Sequence, residues 1–407
     1  SSTREAVQAF ACVGNTATFS ILQVACRQPM GELHVHLLEA VRAGLIFRGD
    51  DGYRFLHDRV QEAAYSLIPA SARPMTHLRI GLLLAQHTPA PEQEARIFEI
   101  VNQLNRGTEL VTAPGERLRI ARLNLQAGRR AKGSTAYTSA LAYLHAGLAL
   151  LPNTAWQDDA ALAFSIHFLT AECELLTAGL DAAEGRLAML AQHTGSQHDF
   201  AMVTRLRLTL YTAMGRGDRG VDVFLDYLRR CGTNWTAHPT RQEVMQEYAQ
   251  IWTRIGDRRI EDLVDLPLMT DPDVLDMMEV CSEIVTPAFF FDENLSSRIL
   301  CRMVRLSLEH GNCDASCFGY VFFATLPGPR FDNYPDGFRF GKLGHDLVQT
   351  RGLHRYQART YISFGNMVIP WARHAGSGRD LIRRAFDTAY RMGDLTFAAY
   401  SWHALVT

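Results

Sequence analysis

Three glycines constrain this chain more than any other feature: Gly311, Gly352 and Gly393 recur at intervals of 41 residues. Six positions after each stands a small residue (Cys317, Ala358, Ala399), and nine positions after each an aromatic one (Tyr320, Tyr361, Trp402). Self-similarity at such a period is the mark of a stacked array. The spacing predicts a helical hairpin repeated three times. Each glycine closes one helix in a left-handed cap, the small residue admits the next helix closely, and the aromatic fills the core between repeats. An earlier set is more degenerate. Gly128, Ala140 and Pro152 fall where a tetratricopeptide-type unit carries its glycine, alanine and proline, and further helix-turn-helix units surround Gly179 and Gly215. A tetratricopeptide-like α-solenoid superhelix is therefore expected over residues 112–407. Its last apolar helix, FAAYSWHALV, has no polar cap, so the array is expected to continue in a longer parent protein.

The N-terminal stretch differs in one respect. Helical periodicity (VQAFACVG, TFSILQVAC, ELHVHLLEAVRAG) gives way to two β-prone runs, Leu45–Arg48 and Tyr53–Leu56, flanking Asp50-Asp51-Gly52. That tripeptide is a good hairpin turn. The helical DRVQEAAYSLI follows. Three helices, a small hairpin and a closing helix predict a winged-helix unit over residues 1–69, joined by a helical connector, 70–111, to the array. The fold class is all-α.

Charge and motifs exclude more than they assign. With 41 basic and 43 acidic side chains, the formal net charge is −2, which gives no electrostatic basis for bulk nucleic-acid or acidic-membrane binding. No run approaches the ~18 apolar residues a membrane span needs, and SSTREAVQAF lacks the basic-then-apolar order of a signal peptide. Eight scattered cysteines read as reduced, buried thiols of a cytoplasmic protein. Cys313 and Cys317 near His310 form a cluster without a second pair to complete a tetrahedral metal site, so no metal is expected. Residues 128–135 (GRRAKGST) invert the order of a phosphate loop and lie in a helical repeat. His57-Asp58-Arg59 has the wrong order for a kinase catalytic loop. Neither a GxSxG elbow nor an HExxH helix occurs. His34 and His36 fall on different helix faces; Asp50-Asp51 and Asp158-Asp159 suit a turn and a helix start. No catalytic residue and no cofactor is expected in this segment. Pro327–Gly337, aromatic and proline-rich, is the expected long loop, with Phe331 and Tyr334 packing onto a neighbouring repeat.

Leu56-His57-Asp58-Arg59-Val60-Gln61-Glu62-Ala63-Ala64-Tyr65 resembles the winged-helix end of the signal-transduction ATPases with numerous domains. More narrowly, it is similar to the ATPase-like centre of large bacterial proteins that also carry a Ser/Thr kinase, a helical array, a GAF domain and a sensor histidine kinase. The resemblance extends over RIEDLVDLPLMTDP, CRMVRLSLEHGNCDASCFGYV and DLTFAAYSWHALVT, and so over nearly the whole chain. It implies that ATP or ADP would bind in a preceding domain, since Walker motifs, kinase lobes and histidine-kinase boxes are absent from these residues. It further implies that His57 donates a hydrogen bond to a β-phosphate in a closed, inactive state, with Asp58 fixing the imidazole tautomer or capping the next helix. Capping alone is the alternative for both residues.

The expected function is a regulatory and interaction scaffold of a bacterial multidomain signalling kinase, coupling nucleotide state or partner binding to kinase output. Its partners would be the flanking ATPase and kinase domains, with a protein or small-molecule signal in the solenoid groove. The alternative is a winged-helix transcription regulator with a helical sensor domain. Against it, GELHVHLLEAVRAG offers Arg42 alone as a base-reaching cation, which makes for poor phosphate neutralisation. An enzyme with convergent groups in the groove is a third reading.

Overall fold

A computed structural model of the chain describes residues 2–406. It divides into two compact units, Ser1–His193 and Thr194–Thr407. One apolar core within the first unit draws on residues of the expected winged unit, the connector and the first helical pairs.

The first unit begins with helices α1 (Ser2–Val13), α2 (Phe19–Cys26) and α3 (Met30–Arg42), and closes its first lobe with α4 (Asp58–Ser66). Strands β2 (Ile46–Arg48) and β3 (Gly52–Phe55) form the hairpin that the Asp-Asp-Gly turn implies. A third strand, β1 (Thr16–Thr18), pairs antiparallel with β3, giving the order β1-β3-β2. Gly52 is required at that pairing, since a Cβ there would collide with the backbone of Ala17 and Thr18. Phe10 of α1 stacks on Phe55 of β3 with centroids 4.3 Å apart. Both rings are sealed, as are Leu22, Leu33 and Leu37. Each such side chain contributes about 1.5–3 kcal/mol of burial, which holds the small sheet onto the helices.

The unit continues through α5 (Arg73–His87), α6 (Ile97–Leu104), α7 (Pro114–Gly133), α8 (Tyr137–Leu150), α9 (Ala160–Leu176) and α10 (Leu180–Gln192). Successive helices of this run pack against one another across short connections. Asp159 caps α9 by accepting from Leu162 N at 3.0 Å, the role its position suggested.

The second unit contains α11 (Gln197–Ala213), α12 (Gly217–Arg230), α13 (Arg241–Ile255), α14 (Pro272–Phe291), α15 (Glu293–His310), α16 (Asp314–Phe323), α17 (Tyr334–Arg351), α18 (Gln357–Ser363), α19 (Arg379–Met392) and α20 (Leu395–Val406). Local signals set the ends. Thr240 and Glu243 form a capping box at α13, and Asp271 caps α14 just before Pro272. Helices α14, α16, α18 and α20 are neighbours in one layer, each backed by a helix of a second layer, α15, α17 or α19. The expected loop 327–337 is instead mostly helical. Pro327–Phe331 makes a short helix, Asp332 turns the chain in the left-handed region, and α17 opens at Tyr334. All three prolines, Pro327, Pro329 and Pro335, fall in first helical turns, where a missing N–H costs nothing. Phe331 stacks on Tyr248 at 3.8 Å, in keeping with its expected packing role, and Tyr334 lies against Trp371.

Candidate functional site

His57 is the N-cap residue of α4. Its Nδ1 accepts from Arg59 N at 3.2 Å, Asp58 is the first helical residue, and both side chains are exposed. This is the capping arrangement. A neutral imidazole with a lone pair on Nδ1 is what the cap needs, which leaves the Nε2 edge as a donor toward solvent.

The six glycines do not occupy equivalent corners. Gly352 and Gly393 end α17 and α19 with nearly identical left-handed geometry (φ 70°, ψ 21° and φ 73°, ψ 15°). Gly215 is also left-handed, at φ 68°. Gly311, in contrast, is extended at ψ 179° with φ 95°. The cause is segment 260–269, which clips onto the next residue: Asn312 N donates to Pro267 O and Met269 N donates to Asn312 O, both at 2.8 Å. A Cβ on Gly311 would run into the Pro267 carbonyl. Gly179 precedes α10 with negative φ, and the left-handed residue of that turn is Ala178. Gly128 lies inside α7, where Leu144 of α8 packs onto its bare Cα. It is therefore a close-approach position and not a corner. The same location places GRRAKGST largely within a helix.

The equivalent small and aromatic positions diverge in the third repeat. Cys317 and Ala358 are buried, as are Tyr320 and Tyr361, whereas Ala399 and Trp402 are exposed and Ala398 is buried instead.

Cys313 and Cys317 are buried, and His310 is exposed. Burial pushes both thiols up. Cys317 Sγ reaches the Leu353 carbonyl at 3.8 Å, and Cys313 Sγ lies beside Ser316. Among the described residues no group of three or more His, Cys, Asp or Glu could hold a metal ion, and no helix is long and apolar enough to cross a membrane. His34 Nδ1 pairs with the Tyr53 hydroxyl at 2.8 Å, while His36 Nδ1 pairs with Gln28 Oε1 at 2.8 Å. The two imidazoles serve separate contacts.

An ionic ladder along α14 was not legible in advance. Asp276, Glu279 and Glu283 share one face of that helix. Asp276 binds His198 Nδ1 at 2.9 Å; Glu279 pairs with both Arg205 and Arg355; Glu283 accepts from Arg359 at 3.1 Å. Arg359 also reaches Asp394 at 3.2 Å, linking α14, α18 and the start of α20. Burial alone would lower its pKa, but Glu283 and Asp394 hold the guanidinium charged and raise it. Among these charges lies the buried Tyr356, whose hydroxyl has no hydrogen-bond partner. The signal was an acidic stripe at i, i+3 and i+7 with arginines at 355 and 359. The partners lie 76 residues away, so no local spacing ties them together.

No protein-family profile matches the chain. It is similar to the hybrid signal transduction histidine kinase G of Dictyostelium discoideum, with 22% identity over 399 positions that cover 86% of this chain and 11% of that protein. Among solved structures it is similar to a signal transduction ATPase with numerous domains carrying a tetratricopeptide repeat sensor, from Pyrococcus horikoshii. That match has a TM-score of 0.42 and 9% identity, and covers 99% of this chain and 53% of the other. The chain thus spans about a ninth of the curated relative and about half of the solved one.

Proposed function

We propose that this chain is a regulatory helical segment of a larger signal-transduction protein, coupling nucleotide state or partner binding in flanking domains to kinase output. The observation that carries the reading is the extent of similarity to a signal-transduction histidine kinase, 86% of this chain. The chain's layered helical pairs suit a part that binds and transmits. In this reading the N-terminal lobe, three helices with a three-stranded sheet and a closing helix, is a winged helix. It docks on a preceding ATPase domain, and the exposed Nε2 edge of His57 meets the β-phosphate of bound ADP. The parent is a cytoplasmic multidomain kinase of the bacterial kind that Leu56–Tyr65 resembles. Release of the lobe is the open state of a two-state switch.

Two variants of the full-length parent test this. His57→Asn keeps an N-cap acceptor and removes the imidazole; His57→Ala removes both. Autophosphorylation without input should rise in both. Elevated output in His57→Ala alone would reduce His57 to a cap, and unchanged output in both would end the sensor role.

A further inference from the structure

Within the second unit the layer α14, α16, α18 and α20 encloses a cleft of about 290 Å³. That is the small end of the roughly 300–1,000 Å³ typical of ligand sites. Four features give it a chemistry. Its walls are largely aromatic: Phe289 and Phe290 from α14, Phe322 from α16, Phe397 and Tyr400 from α20. Phe289 and Phe290 meet edge-on at 5.4 Å, as do Phe397 and Tyr400 at 5.5 Å, so the rings present faces and edges on both sides. No Lys, Arg, Asp or Glu lines it, and a charged guest would lose its hydration without a counter-charge. Polar side chains complete the lining: Thr286 of α14, Ser363 of α18, Asn366, and His403 of α20.

The backbone is irregular at two of these walls. Between α18 and the short helix Ile369–Ala372 the chain winds as a π-turn, Phe364–Val368, whose central residues Asn366 and Met367 both line the cleft. Such turns are rare and concentrate at functional sites. Opposite it, Pro287 lies inside α14 and offers no N–H to the preceding turn. The last turn, carrying Phe289 and Phe290, is therefore held less firmly. Phe290 is 78% exposed.

We infer that this cleft binds a small, neutral, flat aromatic molecule with one or two hydrogen-bonding substituents, its ring between the α14 and α20 aromatics and its polar group on Asn366. The inference deepens the regulatory reading and rests on it only for the consequence of binding; the site itself stands on this unit's geometry.

The probe is 2-naphthol, titrated into the 407-residue chain carrying ¹³C-methyl methionine, with the Met367 signal assigned by Met367→Leu. A saturable Met367 shift is expected, with a Kd below about 1 mM. Naphthalene-2-sulfonate should bind about tenfold more weakly or worse, for lack of a counter-charge. Ala404→Phe, which fills the cleft, should weaken 2-naphthol about tenfold or more, and Phe290→Ser, at an exposed position, about threefold. Two variants guard against a folding defect in either. Absence of a saturable shift, or binding unchanged in both folded variants, overturns the site. So does a Met367 signal that moves with protein concentration and is restored by Phe290→Ser, because a second copy would then cover the cleft. Binding without any change in the full-length parent's kinase output would overturn the regulatory reading and leave the site intact.

Discussion

Trp402 holds the repeat position that Tyr361 holds 41 residues earlier, yet Tyr361 is 0% exposed and Trp402 is 58% exposed. Tyr361 is covered by side chains of α17, α18 and α19. Its hydroxyl meets Gln349, Gln357 at 2.9 Å and Arg384 at 3.2 Å, and the Arg384 guanidinium lies over its ring at 4.9 Å. Trp402 touches Phe386 at 5.8 Å. Removing one hydroxyl, Tyr361→Phe, should therefore cost about 1–1.5 kcal/mol, the net worth of its hydrogen bonds, since Gln349 and Arg384 are exposed and can turn to water. Trp402→Ser, a far larger chemical change, should cost less than about 1 kcal/mol. Urea unfolding of both variants checks the order, and the reverse order would mean that position 402 is covered in solution.

Alanine at the three 41-residue glycines should separate them into two classes. Gly352 and Gly393 are left-handed with open space where a Cβ would stand, so each Gly→Ala should cost only the conformational strain, about 1–2 kcal/mol. Gly311→Ala adds a collision with the Pro267 carbonyl, and its Asn312 clip must shift. A further 1–3 kcal/mol or so is expected, as for overpacked cores. Equal costs at all three sites, measured by denaturant midpoints, would show that the 260–269 segment does not hold Gly311.

The periodic signal made the helical layers legible, and Asp50-Asp51-Gly52 made the hairpin legible. Strand Thr16–Thr18 was not, because three residues are too few to show alternation. The aromatic stretch from Pro327 read as a loop because three prolines and two glycines dominate it, although proline in a first turn is compatible with helix. The π-turn at Phe364–Val368 has no sequence code comparable to a cap. The capping bond of α4 comes from His57, and Asp58 stands inside the helix as its first residue. The cleft was illegible for a different reason: its walls come from positions between 286 and 404 that only the stacking brings together.

The arginine ladder should resist salt. Glu283→Gln leaves Arg359 with Asp394 as its ionic partner, and both members of the lost pair are mostly out of solvent. A loss of about 1.5–3 kcal/mol is expected, the range for hydrogen bonds to charged groups. Because screening acts on exposed pairs much more than on covered ones, the loss should persist in 0.5 M NaCl, about one-half molar being enough to silence a surface pair. A difference that vanishes with salt would identify the ladder as a surface network.

In the first unit His167 is held neutral, which makes stability depend on pH. Burial chiefly, and then the Arg186 charge, lower its pKa to about 4. Arg186 Nη1 donates to His167 Nδ1 at 3.1 Å while its other nitrogens clamp Glu174 at 2.9 and 2.7 Å. The Trp156 indole stacks with both imidazoles, His167 and His193, with centroids 5.7 and 4.6 Å away. The folded chain keeps His167 unprotonated as the pH falls below the ordinary histidine value of about 6.5, whereas the unfolded chain takes up the proton. The unfolded state then binds more protons, so stability rises with pH across this window and is lost as pH falls from about 6.5 toward 4. The full shift would correspond to about 3 kcal/mol; partial solvent access of the ring brings the expected loss nearer 1–2 kcal/mol. His167→Gln removes the titration and leaves a side chain able to accept from Arg186. The stability advantage of the natural chain over the variant should be constant above about pH 6.5 and shrink steadily below it. Urea midpoints followed by circular dichroism between pH 7.5 and 4.5 or so decide the matter. An advantage independent of pH would mean that His167 titrates alike in both states, and that the Trp156 stack rather than the imidazole's charge sets the local stability.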